Sequence, residues 1–314
     1  MMRVWLALTV LLLLGAEATP ATAGVLDRIR AEGILHCGAT VRPGLAFPAP
    51  DGKLAGLEVD LCRAVAIAVL GPSARIDFHP YLLPPSYDPL RQGQDELAFL
   101  TESEIIEADL AGTVLPGPPV FFESDAVLVP EDSPARHVAD LAGQTICAEP
   151  GTGAERSIAP WFAVRHLALS YFPFQESDEE LDAYYAGHCA AMVNEITSIA
   201  AIRLQAAGDG HPSRLLPQPL AAYPIMAVTG LGDPRWSALV GWITSAVMRP
   251  QPAADTVATT FGLAPDWQDI MRGAVGDYDA IFRRNLGRDT RLDLSPGLNT
   301  LWSEGGLLCP PYSE

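Results

Sequence analysis

Few residue types in this chain have the means to bind or react, and most of those that do are carboxylates. Between Phe99 and Asp109 the sequence places Glu102, Glu104, Glu107 and Asp109 around the hydroxyls of Thr101 and Ser103. Facing a ligand cleft, such side chains would repel a free carboxylate; on a solvated helix face they would do nothing of the kind. No arginine occurs between Arg91 and Arg136. Gly151-Thr152-Gly153 falls between a predicted strand and a predicted helix, where small residues let backbone N–H groups and a helix N-terminus face an anion. A plain turn is the other reading, because the segment lacks the Lys-Ser/Thr ending of a phosphate loop and the spacing of a dinucleotide fingerprint.

Catalytic patterns are missing. Ser103, Ser124 and Ser157 lack a G-x-S-x-G setting. His36, His79, His137, His166, His188 and His211 form no H-x3-H ligand pair and offer no partner to a nucleophile. The expected protein is not an enzyme and carries neither metal nor cofactor. The cysteines group by region, with Cys37 and Cys62 early, Cys147 and Cys189 central and Cys309 near the end. Two local bridges and one leftover thiol are the economical arrangement. Metal ligation, the alternative, would want a close C-x-x-C pair or a histidine cluster.

The elements that must position these groups follow a βαβ rhythm. Leu26 to Glu32 reads as a short helix stopped by Gly33, and Ile34 to Ala39 as a strand. Val59 to Leu70 has helical apolar spacing and stops at Gly71-Pro72, before a strand over Arg75 to His79. Val120 to Val129 reads as a long strand that Pro130 to Pro134 ends. A second βαβ series then runs from Thr145 through the strand at Ala190 to Val193 and the helix from Ile196 to Ala206. Tyr223 to Thr229 returns to a strand pattern, and Trp236 to Met248 is a helix. Thr256 to Tyr312 reads as helical with Gly and Pro punctuation. A second α/β unit thus interrupts the first, and each implies a mostly parallel sheet covered by helices.

Composition and ends narrow the class. Met1-Met2-Arg3, the apolar run Val4 to Leu14 and Ala21-Thr22-Ala23 match a secretory signal over residues 1–23. The apolar core is short for a membrane span. The net charge of -18, from 38 acidic and 20 basic residues, argues against nucleic-acid and anionic-lipid partners. The apolar share of 49% is that of a packed chain. Export makes disulfides permissible.

Several longer segments carry a resemblance. They are Leu35-His36-Cys37-Gly38, the run from Gly56 to Val65, Ile146-Cys147-Ala148-Glu149-Pro150-Gly151-Thr152, Ala186-Gly187-His188-Cys189, the run from Gly276 to Asn285, and Gly297 to Trp302. In order and spacing the chain, from about Val25 to Tyr312, resembles the periplasmic amino-acid-binding proteins of ABC transporters, the general L-amino-acid binders in particular. The resemblance implies an α/β, two-lobed periplasmic binding protein fold of type II, with two linking strands and a C-terminal helical extension. Residues 24–130 and 223–314 would form one lobe and 131–222 the other, with crossings near 129–133 and 221–225. It implies disulfides Cys37–Cys62 and Cys147–Cys189, a periplasmic location, and a small-molecule ligand (an amino acid, amine or derivative) delivered to an ABC permease, the only route to membrane contact.

The implied pocket departs from the pattern. The early-helix arginine that clamps the ligand carboxylate in such proteins falls, by register from Gly93, on Ala108. Thr101, Ser103 and Thr152 match polar positions that touch the ligand, and Glu195 matches the aspartate that holds its ammonium, a helix-capping role being the other reading. Gly153 stands where a second hydroxyl is usual. Arg42, after the first strand, is a possible substitute guanidinium. Phe47, Tyr81 and Tyr87 fall near the implied cleft wall, where they would stack on the ligand, or else belong to the core. Without the early-helix arginine, a second reading stands: a binding-protein-like accessory or sensor, for example beside a periplasmic quinoprotein dehydrogenase or its cytochrome. The thiol Cys309 has no implied partner.

Overall fold

The computed structural model describes residues 24–82, 86–109, 112–148, 153–172 and 178–310. The predicted signal segment lies outside them. In chain order, helix α1 (Val25–Glu32) ends at Gly33 and feeds strand β1 (Ile34–Thr40). A small hairpin of β2 (Phe47–Pro48) and β3 (Leu54–Ala55) leads into α2 (Leu57–Leu70), then β4 (Arg75–Tyr81), α3 (Asp88–Arg91), β5 (Leu97–Thr101) and α4 (Glu102–Ala108). The long β6 (Val114–Pro130) precedes β7 (Thr145–Ala148), α5 (Gly153–Ala163), β8 (Ser170–Tyr171), α6 (Asp178–Tyr185), β9 (Ala191–Glu195), α7 (Ile196–Gly208) and β10 (Ser213–Leu215). The chain returns through β11 (Ala221–Gly230) to α8 (Pro234–Met248), α9 (Ala254–Phe261), α10 (Trp267–Val275) and α11 (Tyr278–Asn285).

The strand order is β4-β1-β5-β11-β6-β9-β7-β8, with β10 on β6. Two parallel groups, β4-β1-β5 and β9-β7-β8, therefore flank an antiparallel pair, β11 and β6. Each group has its own apolar core. The larger gathers α2, α8 and α10, with Leu61, Phe99, Trp236 and Trp267 fully buried. The smaller is built around Val127, Ile146, Phe162 and Val193. Helix α2 is apolar nearly all round because it is covered nearly all round, its buried run extending from Leu57 to Val69.

The connection differs from the expected pair of separate linkers. Strand β6 is 17 residues long and pairs with β11 from Val114 to Asp125 before pairing with β9 from Asp125 to Leu128. The hydrogen-bonded path is thus unbroken from one parallel group to the other, and the chain passes between them at Glu123–Asp125, earlier than the predicted 129–133. Pro116, Pro118 and Pro119 are tolerated in β6 because the register with β11 shifts around Met226, which relieves ladder positions that a residue without an N–H cannot fill.

The C-terminal segment is helical only as far as Asn285; the remainder is turns with two 3-10 segments at Gly297–Asn299 and Trp302–Glu304. It fastens the crossing strand. The Phe122 N–H donates to the Asn299 side-chain oxygen at 2.6 Å, and the Asn299 amide donates back to the Phe122 carbonyl at 2.9 Å.

Both disulfides form as the resemblance implies, Cys37–Cys62 with Cα atoms 6.4 Å apart and Cys147–Cys189 with Cα atoms 5.6 Å apart. Cys309 is free and exposed. Each bridge lies within one parallel group and closes a sequence separation of 25 or 42 residues. Replacing Cys147 and Cys189 by serine is expected to lower stability by about 2–4 kcal/mol, mainly by freeing the unfolded chain. Urea unfolding of the double variant measures this, and a loss below about 1 kcal/mol would contradict it.

Candidate ligand-binding cleft

Four parallel strands, two from each group, end beside one another: β1 leads to Arg42, β5 to Thr101, β7 toward Gly153, and β9 to Glu195. Ligands in open α/β sheets bind beyond the carboxyl ends of the strands. A cleft of about 420 Å³ opens there, with Asp125 of β6 and Tyr223 of β11 completing its wall.

Local sequence explains how the side chains are held. Thr101 and Glu104 form a capping box at the start of α4. The Glu104 N–H donates to Thr101 Oγ1 at 3.3 Å, and the Thr101 N–H donates to Glu104 Oε2 at 2.7 Å. The other Glu104 oxygen accepts from Thr40 Oγ1 at 2.5 Å and from Arg42 Nη2 at 3.0 Å. Arg42 itself sits on a pinned turn, with its N–H donating to the Ala46 carbonyl at 3.0 Å while Leu45 receives the N–H of Glu58 at 3.0 Å. Gly56 makes that approach possible: its φ is +135°, and a Cβ there would lie 2.0 Å from the Leu45 oxygen.

Arg42 is buried and reaches across the cleft, with Nε 3.6 Å from Glu195 Oε2. Glu195 also accepts from the Tyr223 hydroxyl at 3.0 Å. It occupies the N-cap of α7, yet its side chain makes no capping bond, so the carboxylate belongs to the cleft. Burial alone would lower the Arg42 pKa, but Glu104, Glu195, Glu58 and Glu123 outweigh burial and raise it. Behind the guanidinium lie two fully buried carboxyls. Glu58 makes no hydrogen bond, and burial holds its pKa well above the usual range against the pull of Arg42. Glu123 accepts from Thr197 Oγ1 at 2.7 Å and from the Ser124 N–H at 3.1 Å; burial and then the charge of Glu195 push its pKa up to about 7.

The structure brings together Arg42, Thr101, Ser103 and Glu195 of the expected site, and Gly153 with them. Thr152 lies outside the described residues. Phe47 and Tyr87 do not line the cleft: Phe47 is half-buried in the β2–β3 hairpin, and Tyr87 is buried edge-on against Tyr81 with ring centres 5.7 Å apart. Ala108 is also a correction. It ends α4 and packs in the core with Tyr81, Leu90 and Val114, so it cannot be the cleft position of an early helix turn. One turn earlier on the same face stands Glu104, which does reach the cleft. The acidic run divides accordingly: Glu102 and Glu104 line the cleft, whereas Glu107 and Asp109 do not, and Asp109 accepts from the Val114 N–H at 3.1 Å. Sequence reasoning missed Asp125, Tyr223, Glu58 and Glu123. Only the T-x-x-E spacing of Thr101 and Glu104 offered a local signal, for the capping box.

Two groups of parallel strands joined by an antiparallel pair, with a polar cleft at the strand ends, are the architecture of a two-lobed periplasmic binding protein. The chain is a relative of the amino-acid-binding proteins of ABC transporters. It is 28% identical to the general L-amino acid-binding periplasmic protein AapJ of Rhizobium johnstonii, over 95% of both chains. It is 26% identical to the glutamate/glutamine/aspartate/asparagine-binding protein BztA of Rhodobacter capsulatus, over 94% of this chain and 95% of the other. A solved ABC transporter periplasmic binding protein from Brucella ovis with glutathione bound superposes with a TM-score of 0.73 and 25% identity, covering 92% of this chain and 99% of that one. No family profile matches the chain. The relatives are binding proteins rather than enzymes, as the missing catalytic patterns lead one to expect. Among the described residues, no helix is long and apolar enough to cross a membrane.

Proposed function

We propose that this chain is a periplasmic solute receptor that captures an amino acid or related small molecule in its cleft and delivers it to an ABC importer. The observation that carries the reading is the convergence of Arg42, Thr101 and Ser103 from one strand group with Glu195 from the other, at a cleft between strand ends. Full-length likeness to named amino-acid-binding proteins supports it. Residues 24–130 and 223–314 would form one closing half and 131–222 the other, with hinge bending at the β6–β11 pair. The test is calorimetry with the common L-amino acids, glutathione and simple amines, joined to small-angle scattering on the same samples. At least one solute should bind with micromolar affinity or better and reduce the radius of gyration. Silence across the panel would overturn the receptor reading in favour of the accessory or sensor role.

A further inference from the structure

The cleft wall carries more negative than positive charge: Glu102, Glu104, Asp125 and Glu195 against Arg42 and Arg156. Two of these carboxylates occupy an unusual position. Asp125 and Glu195 are direct partners in the antiparallel ladder between β6 and β9, so their side chains leave the same face of the sheet side by side. Like charges directly opposite one another destabilise such a ladder. Nothing in the wall offsets this fully. Arg42 is engaged by Glu104 at 3.0 Å and stands at the longer distance of 3.6 Å from Glu195. Asp125 is only 1% exposed, and its Oδ1 makes no hydrogen bond although the residue lines the cleft. A buried carboxylate oxygen without a donor is costly and rare in native proteins.

We propose that Asp125 and Glu195 form a subsite for a cationic group of the solute, an amine or guanidinium, and that the cleft therefore selects solutes of net positive charge. The inference rests on the receptor reading and gives it a ligand class. A cation with two or more N–H donors seated between the pair satisfies the open Asp125 oxygen and relieves the repulsion with Glu195. Charge-assisted bonds of this kind are about twice as strong as neutral ones. An anionic solute would instead add negative charge to a wall where Arg42 is already paired with Glu104.

The experiment is calorimetry on the mature chain, stripped of any retained solute by unfolding in urea and refolding. The probes are putrescine, agmatine, L-arginine and L-lysine, set against L-alanine, L-glutamate and glutathione. A cationic probe should bind at least tenfold more tightly than any neutral or anionic one. Asp125→Asn should weaken that cation at least tenfold. Glu195→Gln should do the same, which keeps the test informative if either variant folds poorly. Tightest binding of alanine, glutamate or glutathione would overturn the cation subsite and leave the receptor reading standing. Cation binding that neither substitution weakens would also overturn it. Binding of no probe at all would remove the inference and the receptor reading together.

Discussion

Replacing Arg42 with methionine should lower the stability of the folded chain by about 3–5 kcal/mol, among the largest effects any single substitution here can have. Methionine keeps much of the apolar stem and removes only the charge. Arg42 is 8% exposed and is the only cation that forms an ion pair with Glu104 or Glu195 among the described residues. Glu58 and Glu123, both fully buried, also lean on its field. Without it, Glu104 keeps its bonds from Thr40 and Thr101 but loses its counter-ion. The deficit should shrink as pH falls toward about 4, because the stranded carboxylates then take up protons. Adding Glu104→Gln to the variant should recover part of the loss, since one uncompensated charge disappears. Urea unfolding of the two variants at neutral and acid pH supplies the measurement. A loss below about 1 kcal/mol, or one independent of pH, would show that the cluster is not held by Arg42.

The chain should be more stable at pH 5 than at pH 8, by about 3 kcal/mol from Glu123 alone. Its carboxyl is pushed from 4.5 up to about 7 by burial and by Glu195. A group whose pKa is raised in the folded state binds its proton more tightly there than in the unfolded chain. Its contribution is complete below about pH 4.5 and is lost as pH rises through about 7. Glu58, raised for the same first cause, acts in the same direction. Glu123→Gln keeps the shape and an acceptor for Thr197, and should flatten most of the slope. Denaturant midpoints from pH 5 to pH 8, for wild type and variant, decide it. Equal stabilities at both ends, or a slope untouched by Glu123→Gln, would contradict the assignment. Because Glu123 lies on β6 directly opposite Tyr223, at the crossing between the strand groups, its proton is tied to the place where bending would occur.

Local rules and segment order determined a good deal about this protein. The apolar period marked α2 and α8, Gly33 stopped α1, and the grouping of cysteines within segments anticipated both bridges, because each of these depends on neighbours along the chain. The cleft was less accessible. Glu104 and Ala108 are one helical turn, about 5.4 Å, apart on the same face of α4, and only the start of the helix at Glu102 decides which of them reaches the cleft and which enters the core. Tyr87 has the composition of a ligand platform and the surroundings of a core residue, a distinction made by Tyr81 from another strand. The buried carboxyls were hidden for a related reason: Glu58 and Glu123 look like ordinary surface charges until α2, β6 and α7 close over them. Pairing across a ladder is likewise invisible along the chain, so the facing of Asp125 and Glu195, 70 residues apart in sequence, became evident only when β6 met β9. The sequence alone determined the elements and their order, since helix and strand periods are local; the charge that the cleft presents was decided by the tertiary structure, since burial and cross-strand contact belong to residues far apart in the chain.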